Sequence, residues 1–193
     1  DLIKLNCPKA LNILDRFHIV AKMNKAIDEV RAGEARQLVR DGYEPVLKKS
    51  RWCLLKRKEN LTDHQRIRLR DILRYNLKSV RAYLLKEDFQ QFWDYTSPTW
   101  AGTFLDEWCR QVMRSQIEPM KKFVRTLRNH RELLLNYFRA RKAFSSGVIE
   151  GLNNKAKVTM RKSYGFRTFR IVELALYHTL GKLPEPQLTH RFF

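Results

Sequence analysis

The sequence predicts an α+β chain that is predominantly α-helical, and three observations carry that reading. Apolar residues recur at three-and-four spacing from Phe17 to about Arg141, the period of a helix with one buried face. Turn-forming residues are scarce, with 7 Gly and 6 Pro among 193 residues, which argues against a sandwich or barrel of many short strands. A single apolar run of strand length stands at residues 10–14. With 44% hydrophobic and 11% aromatic residues the chain can bury a core despite 31% charged residues, so wholesale disorder is excluded. The length suits one domain better than two.

Taken in order, Leu2, Ile3 and Leu5 precede Cys7-Pro8, which breaks a helix. Ala10-Leu11-Asn12-Ile13-Leu14 reads as a strand closing on Asp15, although a short apolar run also suits a buried helix segment. From Phe17 the spacing is helical through Ile19, Val20, Met23, Ala26, Ile27 and Val30; Gly33 is a possible interruption and Asp41-Gly42 a turn. Residues 43–60 are basic and aromatic without a clean period. Thr62 and Gln65 form a capping box for a helix that continues through Ile67, Leu69, Ile72 and Leu73 towards Leu84. After the Ser97-Pro98 break a long helical stretch runs from Thr103 to about Arg141, kinked or split at Pro119. Ser145-Ser146 offers an N-cap for a helix with Ile149, Leu152, Ala156 and Met160 inward, and a last helix spans about Thr168–Leu180. No internal repeat or low-complexity tract occurs.

Charge narrows the partners. The chain carries 39 Lys and Arg against 20 Asp and Glu, a net +19 with a pI near 10.2, which points to a polyanion: nucleic acid or an anionic membrane. No apolar run approaches the ~18–20 residues a span requires, and stretches such as Leu133-Leu134-Leu135 are far shorter, so the membrane reading fails. The chain opens at Asp1 in what reads as mid-helix, without a signal peptide, as a fragment would. Cys7, Cys53 and Cys109 are odd in number and lack a C-x-x-C, which favours small buried thiols in a reducing cytoplasm over a zinc ribbon or disulfides.

The basic charge is concentrated. Between Lys121 and Arg170 stand 14 Lys and Arg against Glu132 and Glu150, a net +12. A solvated helix face is the ordinary explanation of a charge run; phosphate contact is the other, and so large an imbalance favours nucleic acid. On a helix, Glu150 precedes Asn154 by one turn, and Lys157 and Arg161 continue the row. That set can ligate a divalent ion and hold phosphate oxygens, or Glu150 can be a surface carboxylate paired with a cation. Asp15-Arg16-Phe17-His18 lies where the strand meets a helix. His18 could ligate, transfer a proton or orient Asp15, or Asp15 could be the helix N-cap with His18 a structural neighbour. His64, His130, His178 and His190 show no metal-ligand spacing.

Two stretches together resemble bacterial insertion-sequence transposases of the ISL-three type. One is Leu14-Asp15-Arg16-Phe17-His18-Ile19-Val20 with Asn24 and Ala26 through Val30-Arg31; the other is Ser146-Gly147-Val148-Ile149-Glu150-Gly151-Leu152-Asn153-Asn154-Lys155-Ala156-Lys157, then Arg161 and Tyr164-Gly165-Phe166-Arg167. The resemblance spans Pro8 to about Gly181 and implies the C-terminal part of an RNase H-like DDE core with a long helical insertion. It divides the chain into residues 1–20 (end of the first half of the core, last strand about 10–14), 21–142 (insertion), 143–181 (core helices with the last acid) and 182–193 (tail).

The same resemblance implies metal-dependent DNA cleavage and strand transfer at insertion-sequence ends, on two Mg²⁺ ions for which Mn²⁺ can substitute. Glu150 matches the family's final catalytic and metal-binding Glu, with both aspartates upstream of Asp1; the rival assignment makes Asp15 the second of them. His18 and Asn154 would support the site, and Lys155, Lys157, Arg161, Lys162 and Arg167 would contact DNA. A homo-oligomer in the bacterial cytoplasm, at the nucleoid and off the membrane, is expected of the full-length enzyme. With one acid of three, this piece alone should be inactive. The alternative reading is a non-catalytic, basic helical nucleic-acid-binding module or a decayed remnant.

Overall fold

A computed structural model of the chain describes residue 6 and residues 11–142, 147–162 and 166–181. The chain divides into two units, Asp1–Phe144 and Ser145–Phe193. In the first unit α1 (Arg16–Arg40) is followed by α2 (Arg51–Leu55), α3 (Asp63–Ile72), α4 (Lys78–Gln90), α5 (Pro98–Arg114), α6 (Glu118–Asn129) and α7 (Arg131–Arg139). Tight 3₁₀ turns occupy Lys58–Asn60 and Gln91–Asp94. The second unit contains α8 (Gly147–Lys162) and α9 (Phe169–Gly181). Among the described residues no helix is long and apolar enough to cross a membrane.

The expected α+β class is overturned: no strand occurs among the described residues, so neither an RNase H-like sheet nor a strand at residues 10–14 is present in them. The helical majority agrees with the sequence. Residues 11–15 take no regular secondary structure, and two of their backbone groups bond to a helix. Leu14 N–H donates to the Leu133 carbonyl at 3.1 Å, and the Asn136 amide donates to the Asn12 carbonyl at 2.8 Å. Two of the run's backbone polar groups are thereby satisfied on α7 rather than on a neighbouring strand.

Local signals account for most boundaries. The capping box is formed, with Thr62 accepting from Gln65 N–H and the Gln65 side chain accepting from Thr62 N–H. Gly33 does not interrupt α1, which runs for 25 residues. Its cost of about 1 kcal/mol relative to Ala is outweighed by the buried face of Ile19, Met23, Ala26, Ile27 and Val30. Asp41-Gly42 ends the helix as expected: Gly42 takes φ +76°, a conformation open to a residue without Cβ. Pro119 splits the long stretch, lying in the first turn of α6, where its missing N–H removes no intrahelical bond.

The core is a layered helix packing. The buried face of α1 packs on α4 and α6, and α5 packs on α6 and α7. Phe89, fully buried, stands at the centre, with ring centroids 5.3 Å from Phe92, 4.6 Å from Trp108 and 6.2 Å from Phe123. Trp108 Nε1 donates to the Leu85 carbonyl at 2.9 Å, which satisfies the indole in a dry site. Lys86 is buried as well. Its Nζ donates to the carbonyls of Leu54 and Lys56 at 2.8 and 3.2 Å, and so closes the end of α2. Burial pushes its pKa below the usual lysine value, with Glu87 opposing the shift.

The second unit has a different character. Leu152 and Met160, expected inward, are 42% and 48% exposed, and Ala156 is half-buried. The Ile149 side chain, the Ser145-Ser146 cap and the tail fall outside the described residues. The reason for the correction is geometric: α8 and α9 pack on each other, and a pair of helices buries only a narrow strip of each. A groove of about 530 Å³ runs along the pair, lined chiefly by Leu152, Phe169, Val172, Leu176, Tyr177 and Leu180.

Two predictions follow from the packing of the first unit. Glu34 of α1 accepts from the N–H groups of Lys78 and Ser79 at 2.7 and 2.8 Å and from Ser79 Oγ at 2.6 Å. It thereby caps α4, whose own N-cap residue Leu77 makes no side-chain bond. Glu34→Ala should cost about 1–2 kcal/mol in chemical denaturation, the range of a lost helix cap; an unchanged midpoint would show that water replaces the carboxylate. Cys109 is buried and burial raises its thiol pKa to about 11; burial raises Cys53 too. Both should resist iodoacetamide at pH 8 in the native chain and react once it is unfolded, as peptide mapping would record, because only the thiolate is nucleophilic.

Candidate functional site

The start of α1 and the length of α8 carry the residues singled out in the sequence. Asp15 is the N-cap of α1: Oδ1 accepts from Phe17 N–H at 3.2 Å and Oδ2 meets His18 Nδ1 at 2.8 Å. The Asp15 side chain is 17% exposed and that of His18 is 68% exposed. The backbone dictates this arrangement. A carboxylate one residue before a helix accepts from the orphan N–H groups of the first turn and lies at the positive end of the helix dipole. Arg16 stacks over the Trp93 ring at 5.1 Å, so the segment is tied to the aromatic core on one side and to α7 on the other.

In α8, Asn154, Lys155, Lys157 and Arg161 are exposed, and Arg167 is exposed ahead of α9. Glu150 lies in the first turn of α8 and Lys162 at its end, with side chains outside the described residues. At 100° per residue, positions 150, 154, 157 and 161 share one stripe, while 155 and 162 share another about a third of a turn away. The apolar positions 149, 152, 156 and 160 form a third stripe, about a third of a turn from the first on its other side. Of the apolar row, Ala156 is half-buried while Leu152 and Met160 stay exposed.

The described residues do not assemble a metal site. No group of three His, Cys, Asp or Glu able to hold a metal ion occurs among them, and both Asp15 oxygens have local partners. The scattered histidines His64, His130 and His178 do not gather with carboxylates in such a group.

A second basic surface escapes the linear reading. Its cations come from α1 and from the loop after it, separated in sequence by the Asp41-Gly42 turn, so no single window shows them together. The one signal in the sequence is Arg36 and Arg40 at helical spacing ahead of Lys48-Lys49.

Comparison with known proteins adds a family. The DDE-type ISL3 model, described as Transposase, matches residues 1–176. The transposase for insertion sequence element IS1001 of Bordetella parapertussis is 34% identical over 86% of this chain and 41% of its own length. The transposase for insertion sequence element IS1557 of Mycobacterium tuberculosis (strain ATCC 25618 / H37Rv) is 27% identical over 95% of this chain and 46% of its own. The chain thus spans less than half the length of these relatives. No solved structure matches.

The Asp15 geometry has a direct test in stability. Asp15→Asn keeps an oxygen that can accept from Phe17 N–H, so unfolding free energy should stay within about 0.5 kcal/mol of the parent. Asp15→Ala should lose about 1 kcal/mol, as N-cap deletions do. Equal losses in both variants would mean that the charge beside His18 and the helix dipole, rather than the cap bond, holds this corner.

Proposed function

The chain belongs to the ISL3 family of transposases, and from that premise we propose that it supplies the DNA-holding and final-acid portion of an enzyme that cleaves and transfers DNA strands at insertion-sequence ends. What supports the reading is the polar stripe of α8 inside the family match, with Glu150, Asn154, Lys157 and Arg161 in one row. Glu150 is the proposed catalytic carboxylate and Asn154 its neighbour in support. Lys155, Lys157, Arg161, Lys162 and Arg167 hold the phosphate backbone by charge, without reading sequence. Asp15 and His18 serve as positioning residues at the start of α1. Residues 21–142 are assigned as the helical insertion between the two blocks.

Divalent ions, Mg²⁺ first and Mn²⁺ in its place, belong to the same proposal for the whole transposase, and the described residues do not by themselves fit a site for them. This chain's own contribution is then to bind and orient the DNA strand and to present one carboxylate. The second reading is a non-catalytic basic helical module, which the exposed cations Lys155, Lys157 and Arg161 suit equally.

A paired assay on the full-length transposase separates the two. Glu150→Gln should abolish strand cleavage in Mg²⁺ and in Mn²⁺, since Gln keeps size and hydrogen bonding but loses the anionic oxygen. DNA affinity and its salt dependence should persist or rise slightly, because the surrounding cations are untouched. Lys157→Gln with Arg161→Gln should do the reverse, flattening the plot of log K against log salt by about one contact per cation removed. Parental cleavage by Glu150→Gln would return Glu150 to an ordinary surface residue and leave the binding-module reading in its place.

A further inference from the structure

We propose that the groove between the second half of α1 and the loop that follows it is a second site for the DNA backbone, borne by the first unit and separate from α8. The inference rests on the DNA-binding reading above. The groove encloses about 960 Å³ and is lined by five cations, Arg31, Arg36, Arg40, Lys48 and Lys49, with no carboxylate among its lining residues. Arg31 is neutralised by Asp28 at 2.7 Å. The other four are exposed, and no carboxylate holds them. Arg36 Nε donates to the Ala32 carbonyl and Arg40 to the Gln37 side-chain oxygen. Lys48 and Lys49 make no ion pair or side-chain hydrogen bond among the described residues.

The nearby acids form no ion pair with these four cations. Asp28 binds Arg31 and Arg51, Glu34 caps α4, and Asp41, which keeps its charge, is oriented by the neutral Gln37 amide, from which both its oxygens accept at 2.9 and 2.8 Å. Glu44 flanks the loop but does not line the groove. Four like charges gathered on one groove repel, so the fold leaves a local positive potential that a polyanion relieves. The layout suits a phosphate strand better than a compact anion. Arg36 and Arg40 stand one turn apart on the helix, about 6 Å along its axis, and Lys48 and Lys49 come from the loop. The rest of the lining is chiefly apolar, with Ala35, Val39, Pro45 and Leu47, and offers no side-chain donors or acceptors to read base edges. Binding there is therefore sequence-independent.

The test uses the 193-residue chain and a duplex of arbitrary sequence, titrated over salt by fluorescence anisotropy. Arg36→Gln/Arg40→Gln/Lys48→Gln/Lys49→Gln should weaken binding and flatten the slope of log K against log salt by about 3.6, given ~0.9 per phosphate contact. The two half-variants, Arg36→Gln/Arg40→Gln and Lys48→Gln/Lys49→Gln, should each flatten it by about half as much, which keeps the test standing if the quadruple variant misfolds by circular dichroism. If both half-variants bind with the parental slope while Lys155→Gln/Lys157→Gln/Arg161→Gln binds more weakly, the groove is a solvated surface and this inference alone falls. A parent chain that binds no duplex DNA would overturn this inference and the DNA-binding reading on which it rests.

Discussion

The first unit depends on the dry aromatic contact around Phe89. Its ring lies against Phe92, Trp93, Trp108 and Phe123, which come from the 3₁₀ turn after α4, from α5 and from α6. One side chain thus joins three successive elements, and Phe92 extends the contact to Phe138 of α7 at 5.0 Å. Truncating such a buried ring typically costs about 3–5 kcal/mol, a large share of the stability of a small domain. Most of the unit's buried apolar residues belong to the cluster that contains Phe89, and Leu47, Ile72 and Val80 form a second, smaller one. The apolar face of α1 needs α4 and α6 fixed side by side before it can bury Ile19, Met23 and Ile27.

Because α1 is set down on that platform, its polar groups reach partners far away in sequence. Glu34 meets the start of α4 only when the two helices are aligned, and Lys86 meets the end of α2 only when α4 lies beneath it. These bonds satisfy helix ends that have no cap of their own, as buried or half-buried backbone requires. The same alignment shapes the surface charge. Asp28 pairs with Arg31 and Arg51, whereas Arg36 and Arg40 of α1 and Lys48 and Lys49 of the next loop line one groove without a carboxylate among its lining residues.

The second unit shows the opposite balance. In α9, Phe169 is 82%, Leu174 60% and Tyr177 62% exposed, and none of its residues is buried. Helices of this length with so little burial are marginal on their own, since most helical stability comes from tertiary packing. In α8, Thr159 Oγ1 donates to the Lys155 carbonyl at 3.0 Å, a back-bond that adds no helix stability. A helix of this kind can still present a row of groups, since periodicity alone sets which side chains share a stripe.

By itself the sequence determined whatever a short window and a period can specify. The face of α1, the Thr62–Gln65 box, the Gly42 turn and the break at Pro119 all depend on neighbours within a few residues, and so does the polar row of α8 that carries the family's block. Only the tertiary structure decided the fate of residues 11–14, whose apolar run suits a strand or a buried segment equally. Hydrogen bonds from Leu14 to Leu133 and from Asn136 to Asn12 settled it as an irregular segment held on α7. Likewise, Arg36 and Lys48 become one surface only once the chain has turned at Gly42. Strand pairing, cross-helix caps and charged grooves join residues distant in sequence, and their energy depends on distances that no local pattern encodes.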